Sequence, residues 1–542
     1  MSAPVRRRRR SAGTIALRFP RRRLIAAAGI ALILAVVSYT GIRFYLAAAK
    51  VSPGHSSLGD VLGLAQNQDD TPGTLAYKIH HGERVNILML GYGGAGHDGA
   101  FLSDSIMMIS VEGPDRVAMT SLPRDTYAKV AAFANGGTYA GKINAAHAIP
   151  LSNGAFGTLK ADYTSDYSGG GKLASQVIGD YLGVPIDYWV SVDFTAFKKV
   201  VDAIGGVDIN NPYVLDDYQY PIDATGGYQH IHFNAGPQHL SGDQALIYVR
   251  ERHADSDFGR SRRQQQVVAA IKDKTVSVNA VPQLFTLLDA LSENVHTNLS
   301  LNDMRTFSGI LNKVDTAGTH HVSIDNSNWQ YDTTDSSAGY ILLARDKTMN
   351  SLHHFIDSEL PDPAVLGENA NVAFSSTTGQ ASNGQSLAGI MSAVMGMINF
   401  KTLAPINAAT APATTEVRDY SGGKATKTAQ WMATYFGGTV VTMDPATKPA
   451  PDAGASPQPG ASPTSTASPD IVVVLGKDFA SAFDQAERPT YSPPSNYIAP
   501  RQSPRQVQPT QAPMRAPSSE PTVAASQSPK PKCSPLPGPG CP

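Results

Sequence analysis

The sequence predicts a layered α/β protein in two folded parts. Between Val85 and about Lys274, short apolar runs with strand character alternate with segments of helical spacing, as expected when strands and helices stack in layers. From about Asn369 a second series follows: NVAFSST, SLAGIMSAVMGMI, TTEVRDYSG, KTAQWMATYF and IVVVLGKDFA. It reads strand–helix–strand–helix–strand, a small α/β module ending on a strand. A length of 542 residues leaves room for two or three domains plus linkers.

The formal net charge of −1 conceals an asymmetry. Residues 1–50 hold eleven Lys/Arg and no acid, leaving 33 bases against 45 acids, or −12, in the remainder. A basic head on an acidic body excludes a globally basic nucleic-acid binder. The two cysteines, Cys533 and Cys541, lie at the extreme C-terminus. Thiolate catalysis and cysteine metal sites are therefore excluded from the folded part. The pair is placed to close the loop CSPLPGPGC in an oxidising compartment.

In chain order, residues 1–23 form a basic cytoplasmic segment and 24–46 a transmembrane helix. Arg6–Arg10 and Arg21–Arg23 precede the apolar run, Leu24–Tyr39 carries no charge, and Arg43 can snorkel near the far end. Arginines ahead of the run place the N-terminus in the cytoplasm and the rest outside, as a single-pass protein of the cell membrane. Cleavage at AAA 47–49 is the alternative, and it leaves the remainder outside as well. Residues 47–80 are a polar linker. VNILML is a buried strand running into the glycine-rich loop GYGGAGHDGAFLSDS. SIMMISV and RVAMTSL, separated by the turn EGPD, read as a hairpin or neighbouring strands. Asp104 and Arg124 thus fall at the ends of adjacent strands, where sites of layered α/β folds form. KINAAHA starts a helix, and His147 on it reads more readily as structural than functional. A glycine-rich loop at 153–171 precedes the helix LASQVIGDYLG, stopped by Gly183. YWVSVDF is a strand, TAFKKVVDAIGG a helix ending at Gly205, and VDI a short strand.

The densest chemistry lies in QHLSGDQALIYVRERHADSDFGRSRRQQ, Gln238–Gln265. Ser241 and Gln244 form a capping box for a helix from Gly242 to about Val249. Asp257 can cap a second helix running to about Lys274. On it Arg260, Gln264, Val267, Val268 and Ile271 share one face. Arg250, Arg252, Arg260, Arg262 and Arg263 fall between two apolar segments, ALIYV and VVAAI. Cations held between buried elements suit an anion with several oxygens, pyrophosphate best, because guanidinium forks match phosphate oxygens. The blander reading is a surface salt-bridge array. Residues 281–367 continue with helical patterns and no readable chemistry. Met391, Met395 and Met397 read as core or helix-face residues and not as a metal box. A low-complexity insert at 445–469 interrupts the second module, and from residue 483 the tail is Pro-rich and disordered.

NILMLG, SDSIMM, LPRDTY, KINAAHA, GVPIDYWVSVDFTAF, IGGVDI, QHLSGDQALIYVRERH and DFGRSRRQQ occur in that order, and together they resemble the LytR-CpsA-Psr family. The resemblance is strong over about 84–280 and weaker to about 365. The catalytic domain is drawn at 81–367. The module at 368–482 resembles the LytR C-terminal domain, VVVLGKDF being its clearest part. The resemblance implies an α/β/α sandwich with a lipid tunnel. It also implies an enzyme that moves a glycopolymer from a polyprenyl-pyrophosphate carrier to peptidoglycan as a phosphodiester, at the membrane, with no nucleic acid involved. By the same likeness Arg124, Arg250, Arg252 and Arg260 grip the pyrophosphate, Gln264 hydrogen-bonds it, Asp257 orients an arginine and Asp104 binds Mg²⁺. The chain departs from the family pattern at Gly93, where an aspartate is common, and at Leu102, where an arginine is frequent. Asp98 in GHDG is the substitute ligand expected. Two rival functions share these residues: a pyrophosphatase of the same lipid, and a scaffold or regulator that binds lipid-linked glycans without turnover. A DNA-binding regulator is disfavoured, since an external domain cannot reach DNA.

Overall fold

The computed structural model describes residues 71–483 apart from 223–226, 253–256, 278–290, 336–337, 378–385, 450–466 and the single positions 98, 114, 153, 312, 315, 317 and 347. Among the described residues no helix is long and apolar enough to cross a membrane. The expected span at 24–46, the Pro-rich tail and most of the low-complexity insert lie outside them.

A short helix α1 (Leu75–His80) leads into β1 (Val85–Tyr92). β1 pairs antiparallel with β2 (Ser103–Val111), which pairs antiparallel with β3 (Val117–Ser121). The hairpin expected between β2 and β3 is present. β4 (Tyr127–Val130) and β5 (Tyr139–Lys142) form a separate ribbon. Helices α2 (Ala145–Leu151) and α3 (Tyr167–Leu182) follow, then β6 (Tyr188–Asp193) parallel to β1. Next come α4 (Phe194–Ala203), β7 (Val207–Asn211), the β8 (Leu215–Ile222) and β9 (Gly227–Phe233) hairpin, and β10 (Gly236–Leu240) on β7. Helices α5 (Gly242–Arg250) and α6 (Asp257–Ser277) are succeeded by β11 (Val295–Thr297), α7 (Leu301–Leu311) and β12 (His320–Ser323). The six-stranded central sheet runs β11-β6-β1-β2-β3-β12.

Strand alternation divides that sheet between two environments. Leu88, Leu90, Ile106 and Met108 pack with Ile149 of α2 and Leu173, Val177 and Ile178 of α3. Met89 and Met107, of opposite parity, face a cavity walled by α4, α5 and α6. Helices therefore cover both faces of the sheet.

The glycine-rich stretch expected as loop to residue 171 is helical from Tyr167. Asp166 caps it through Gly169 N, and close packing explains the glycines. A Cβ on Gly170 would lie 2.8 Å from the His147 carbonyl, and one on Gly171 2.2 Å from the Trp189 ring. Gly183 stops α3 in the left-handed conformation, φ 75°. α4 ends at Ala203, two residues before the predicted Gly205.

A further hairpin, β13 (Gln330–Asp335) with β14 (Gly339–Ala344), precedes α8 (Asn350–Ser358) and α9 (Pro363–Leu366). The second series then forms its own sheet: β15 (Asn371–Ser376), α10 (Leu387–Met397), β16 (Lys401–Thr402), β17 (Ile406–Asn407), β18 (Glu416–Asp419), α11 (Thr426–Tyr435), β19 (Thr439–Thr442) and β20 (Ile471–Val474). β20 enters the middle, parallel to β15 and antiparallel to β18. The chain does not end there as a strand: KDFA opens α12 (Lys477–Phe483). Met391 and Met395 are buried core residues, and Met397 packs half-buried against the same core.

Candidate functional site

The site is a cavity of about 880 Å³ between the sheet and helices α4–α6. Its walls are apolar: Phe197 and Val200 from α4, Leu246 and Val249 from α5, Val268 and Ile271 from α6, and Met89, Met107 and Val192 from the sheet. Arg124, Arg250, Arg252, Arg260, Gln264 and Asp104 line this same cavity. Residues from 104 to 264 in the chain are thereby brought to one place.

Local structure explains each placement. The Ser241 capping box is complete: Ser241 Oγ accepts from Gln244 N, and Gln244 Oε1 accepts from Ser241 N. It starts α5 so that Arg250 lies in the last turn, where the helix dipole favours a cation. The Arg250 guanidinium carbon stands 4.4 Å from the centre of the Phe194 ring and 5.9 Å from that of Tyr220, two cation–π contacts that aim the fork. Arg124 follows β3 and donates to Asp104 Oδ1 at 2.5 Å. Its Nε lies 3.6 Å from Asp125, whose other oxygen meets Lys142 Nζ at 2.5 Å. Gln264 accepts from Ser105 Oγ (3.0 Å) and donates to the Val249 carbonyl (3.3 Å), tying α6 to β2 and α5. Arg260 is buried and Arg252 exposed.

Two arginines of the cluster do different work. Arg263 is buried and donates through Nε to the Tyr248 carbonyl (2.8 Å) and through Nη2 to the Glu251 carbonyl (2.5 Å). It also pairs with the fully buried Glu251 carboxylate at 3.3 Å. This fastens α6 to the segment leaving α5. Arg262 is exposed, and neither residue lines the cavity. Asp257 opens α6 instead of preceding it. Its side chain, like the whole of Asp98, lies outside the described residues.

The cavity also holds residues that sequence reasoning missed. Asp193 lines it while capping α4 through Ala196 N (2.8 Å) and accepting from Asn294 Nδ2 (2.6 Å). An aspartate closing a strand just before a helix is a capping signal that could have located it. Phe194, Tyr220 and Ser105 carry no such signal. Four guanidiniums thus face two carboxylates among the described lining residues, a net positive mouth on an apolar chamber.

The expected metal requires oxygen ligands. Mg²⁺ is commonly held by one or two carboxylates with phosphate oxygens and water completing the shell. Asp104, with its side chain 44% exposed, offers one such carboxylate, whereas both Asp193 oxygens already accept hydrogen bonds. Gly93 offers none and is closely packed: a Cβ there would lie 2.8 Å from His97 Cβ. Leu102, at the position where the family resemblance often implies an arginine, packs against the apolar core. Asp104 would be the residue to hold such an ion, its carboxylate being an oxygen donor of the kind magnesium prefers.

His147 is buried, and its Nδ1 donates to the Phe101 carbonyl at 3.0 Å. Burial holds its pKa down at about 4, so the ring is neutral and structural, packed beside Tyr92.

Several known proteins are similar to this chain. The polyisoprenyl-teichoic acid–peptidoglycan teichoic acid transferase TagU of Bacillus mycoides (strain KBAB4) is 34% identical over 251 residues, covering 46% of this chain and 71% of that protein. TagV of Bacillus subtilis (strain 168), a transferase of the same name, is 32% identical over 219 residues, 39% of this chain and 49% of its own. The crystal structure of B. subtilis TagV aligns at 25% identity over 51% of this chain and 97% of that one, with a TM-score of 0.39. The model of the LytR_cpsA_psr family matches residues 61–352, more than half of the sequence, and the chain belongs to that family.

Proposed function

We propose that this protein is a membrane-anchored transferase that moves a glycopolymer from a polyprenyl-pyrophosphate carrier to peptidoglycan. The observation that carries the reading is the joining of Arg124, Arg250, Arg252 and Arg260 at an apolar cavity of about 880 Å³. Such a site suits one ligand class, an anionic headgroup on a long hydrocarbon. Each buried methylene contributes about 0.8 kcal/mol to holding the chain, while guanidinium forks orient the phosphates. The names of the relatives support the same substrate pair.

In the proposed reaction a peptidoglycan hydroxyl attacks the glycan-linked phosphorus. A new P–O ester bond forms, the anhydride P–O bond breaks, and polyprenyl phosphate leaves with that electron pair; the hydroxyl proton passes to solvent or a phosphate oxygen. The leaving phosphate gains charge, and Arg124, Arg250, Arg252 and Arg260 stabilise it. The Arg124–Asp104 pair is partly exposed, 28% and 44%, so it is worth only about 0–1 kcal/mol. Arg124 can therefore exchange Asp104 for phosphate at small cost. Asp104 would hold Mg²⁺, which supplies further neutralisation of phosphate charge. Gln264 keeps α6 in register with β2 and presents an amide to the headgroup. Asp257 is assigned to orienting an arginine and Asp98 to completing the metal shell. A membrane helix at 24–46, with the catalytic domain outside the cell, would confine enzyme and lipid to one surface.

The test is incubation of the purified protein with lipid-linked glycan and peptidoglycan oligomers, followed by mass measurement of the adduct. A glycan–phosphate adduct on peptidoglycan is expected. Release of glycan phosphate without adduct would make the protein a pyrophosphatase, and lipid binding without either product would make it a scaffold.

A further inference from the structure

We infer that the outer face of the β8–β9 hairpin is a binding site for a divalent transition ion of the zinc class, separate from the magnesium expected at Asp104. Asp216 of β8 and His230 and His232 of β9 place one ligand atom each within 4.8 Å of one another. Strand parity puts them together: His230 and His232 are two residues apart, and Asp216 is the cross-strand partner of His232. All three are exposed, while Leu215, Tyr220, Ile231 and Phe233 point to the core.

The spacing is close to what the metal needs. Ligand atoms about 2.0–2.1 Å from a tetrahedral zinc lie roughly 3.3 Å from each other. Asp216 Oδ1 is 2.7 Å from His230 Nε2 and 3.0 Å from His232 Nδ1. A few tenths of an ångström of opening would admit the ion, with the protons now shared in those hydrogen bonds released. Two imidazoles and a carboxylate leave a fourth position for water, the donor set that suits zinc rather than magnesium.

A second observation points the same way. Metal-binding histidines usually donate their other ring nitrogen to a fixed acceptor. His232 Nε2 meets Asn234 Oδ1 at 3.2 Å, and the Asn234 carbonyl is itself anchored by Asn211 Nδ2 at 2.9 Å. His230 is held flat by Tyr218, with ring centres 4.0 Å apart and planes 3° from parallel. Both rings are thus oriented before any ion arrives. The ion would join two strands that form a sheet of their own, and the inward face of that hairpin supplies Tyr220 to the cavity wall.

The test uses the full chain purified with a histidine-free tag and equilibrated by dialysis against zinc sulfate, with bound zinc counted by mass spectrometry. The double variant His230→Gln/His232→Gln is expected to lose one zinc per chain relative to wild type, with an unchanged circular dichroism spectrum because both positions are exposed. His239→Gln, on β10 of the separate β7–β10 sheet, retains the wild-type count. Equal zinc content in wild type and the double variant, or no zinc in either, overturns the assignment. Because zinc content is read without turnover, the result is independent of whether the transferase reading stands.

Discussion

Replacing Arg250 by alanine separates the chemistry of the site from the stability of the fold. In the folded protein Arg250 makes a cation–π contact with Phe194 at 4.4 Å and sits at the C-terminal end of α5. The contact contributes about 0.5–1 kcal/mol at a partly exposed site, and the dipole about 0.3–1 kcal/mol. Arg250→Ala should therefore cost about 1–2 kcal/mol of stability and leave the protein folded. Its loss to transfer should be larger. Two charge-assisted hydrogen bonds to phosphate, each worth about 1.5–3 kcal/mol, together account for at least about 3 kcal/mol, a fall of roughly 10²–10³-fold in kcat/KM. Arg250→Lys restores the charge and most of the dipole term but not the fork, so stability should recover while transfer stays low. Initial rates of glycan transfer, with melting curves on the same preparations, give both numbers. An Arg250→Ala protein within about threefold of wild-type kcat/KM, or a fully active Arg250→Lys, would refute the placement of the pyrophosphate.

Other perturbations test separate parts of the structure. Arg263→Ala removes a buried guanidinium paired with the buried Glu251 carboxylate and should cost about 3–5 kcal/mol in urea unfolding, against about 0.5 kcal/mol or less for Arg262→Ala. Equal effects would show that the two arginines do not differ as described. Val268→Trp narrows the apolar chamber. If two or three methylenes of the lipid are displaced at about 0.8 kcal/mol each, KM for a long polyprenyl substrate should rise roughly 15–60-fold, while a short-chain analogue is little affected. His147, ordinarily near 6.5, titrates near 4 in the fold because it is buried. The unfolded chain takes up its proton first, so this contribution is complete above about pH 6.5 and is lost as pH falls to about 4, at up to roughly 1.4 kcal/mol per pH unit. Burial lowers His320 and His321 in the same direction. Urea midpoints at several pH values should fall less steeply with acid in His147→Gln than in wild type.

The elements were legible wherever their signal is local. Apolar runs marked β1–β3 and β20, and the Ser241–Gln244 capping box marked the start of α5 to the residue. The glycine run at 169–171 misled because glycine signals freedom in a sequence. Here it signals crowding by Trp189 and the His147 carbonyl, which belong to other elements. The β13–β14 hairpin went unread, its outer residues carrying only weak alternation.

For the site, the arginine-rich stretch was visible as a cluster between apolar segments, and periodicity put Arg260, Gln264, Val267, Val268 and Ile271 on one helix face; all but Val267, which is buried in the core, line the cavity. What periodicity could not decide is which guanidinium serves the ligand and which serves the fold. Arg260 and Arg263 are one helical turn apart, yet Arg263 is claimed by Glu251 and the Tyr248 carbonyl while Arg260 lines the cavity. Nor could it bring in Phe194, Tyr220 and Asp193, which arrive from three other elements. By itself the sequence determined the periods, the Ser241–Gln244 cap and the chemical classes, because those depend on neighbours a few residues away. Tertiary structure alone decided the membership of the cavity and the pairing of its charges, because those depend on packing between segments as much as 182 residues apart (Met89 and Ile271).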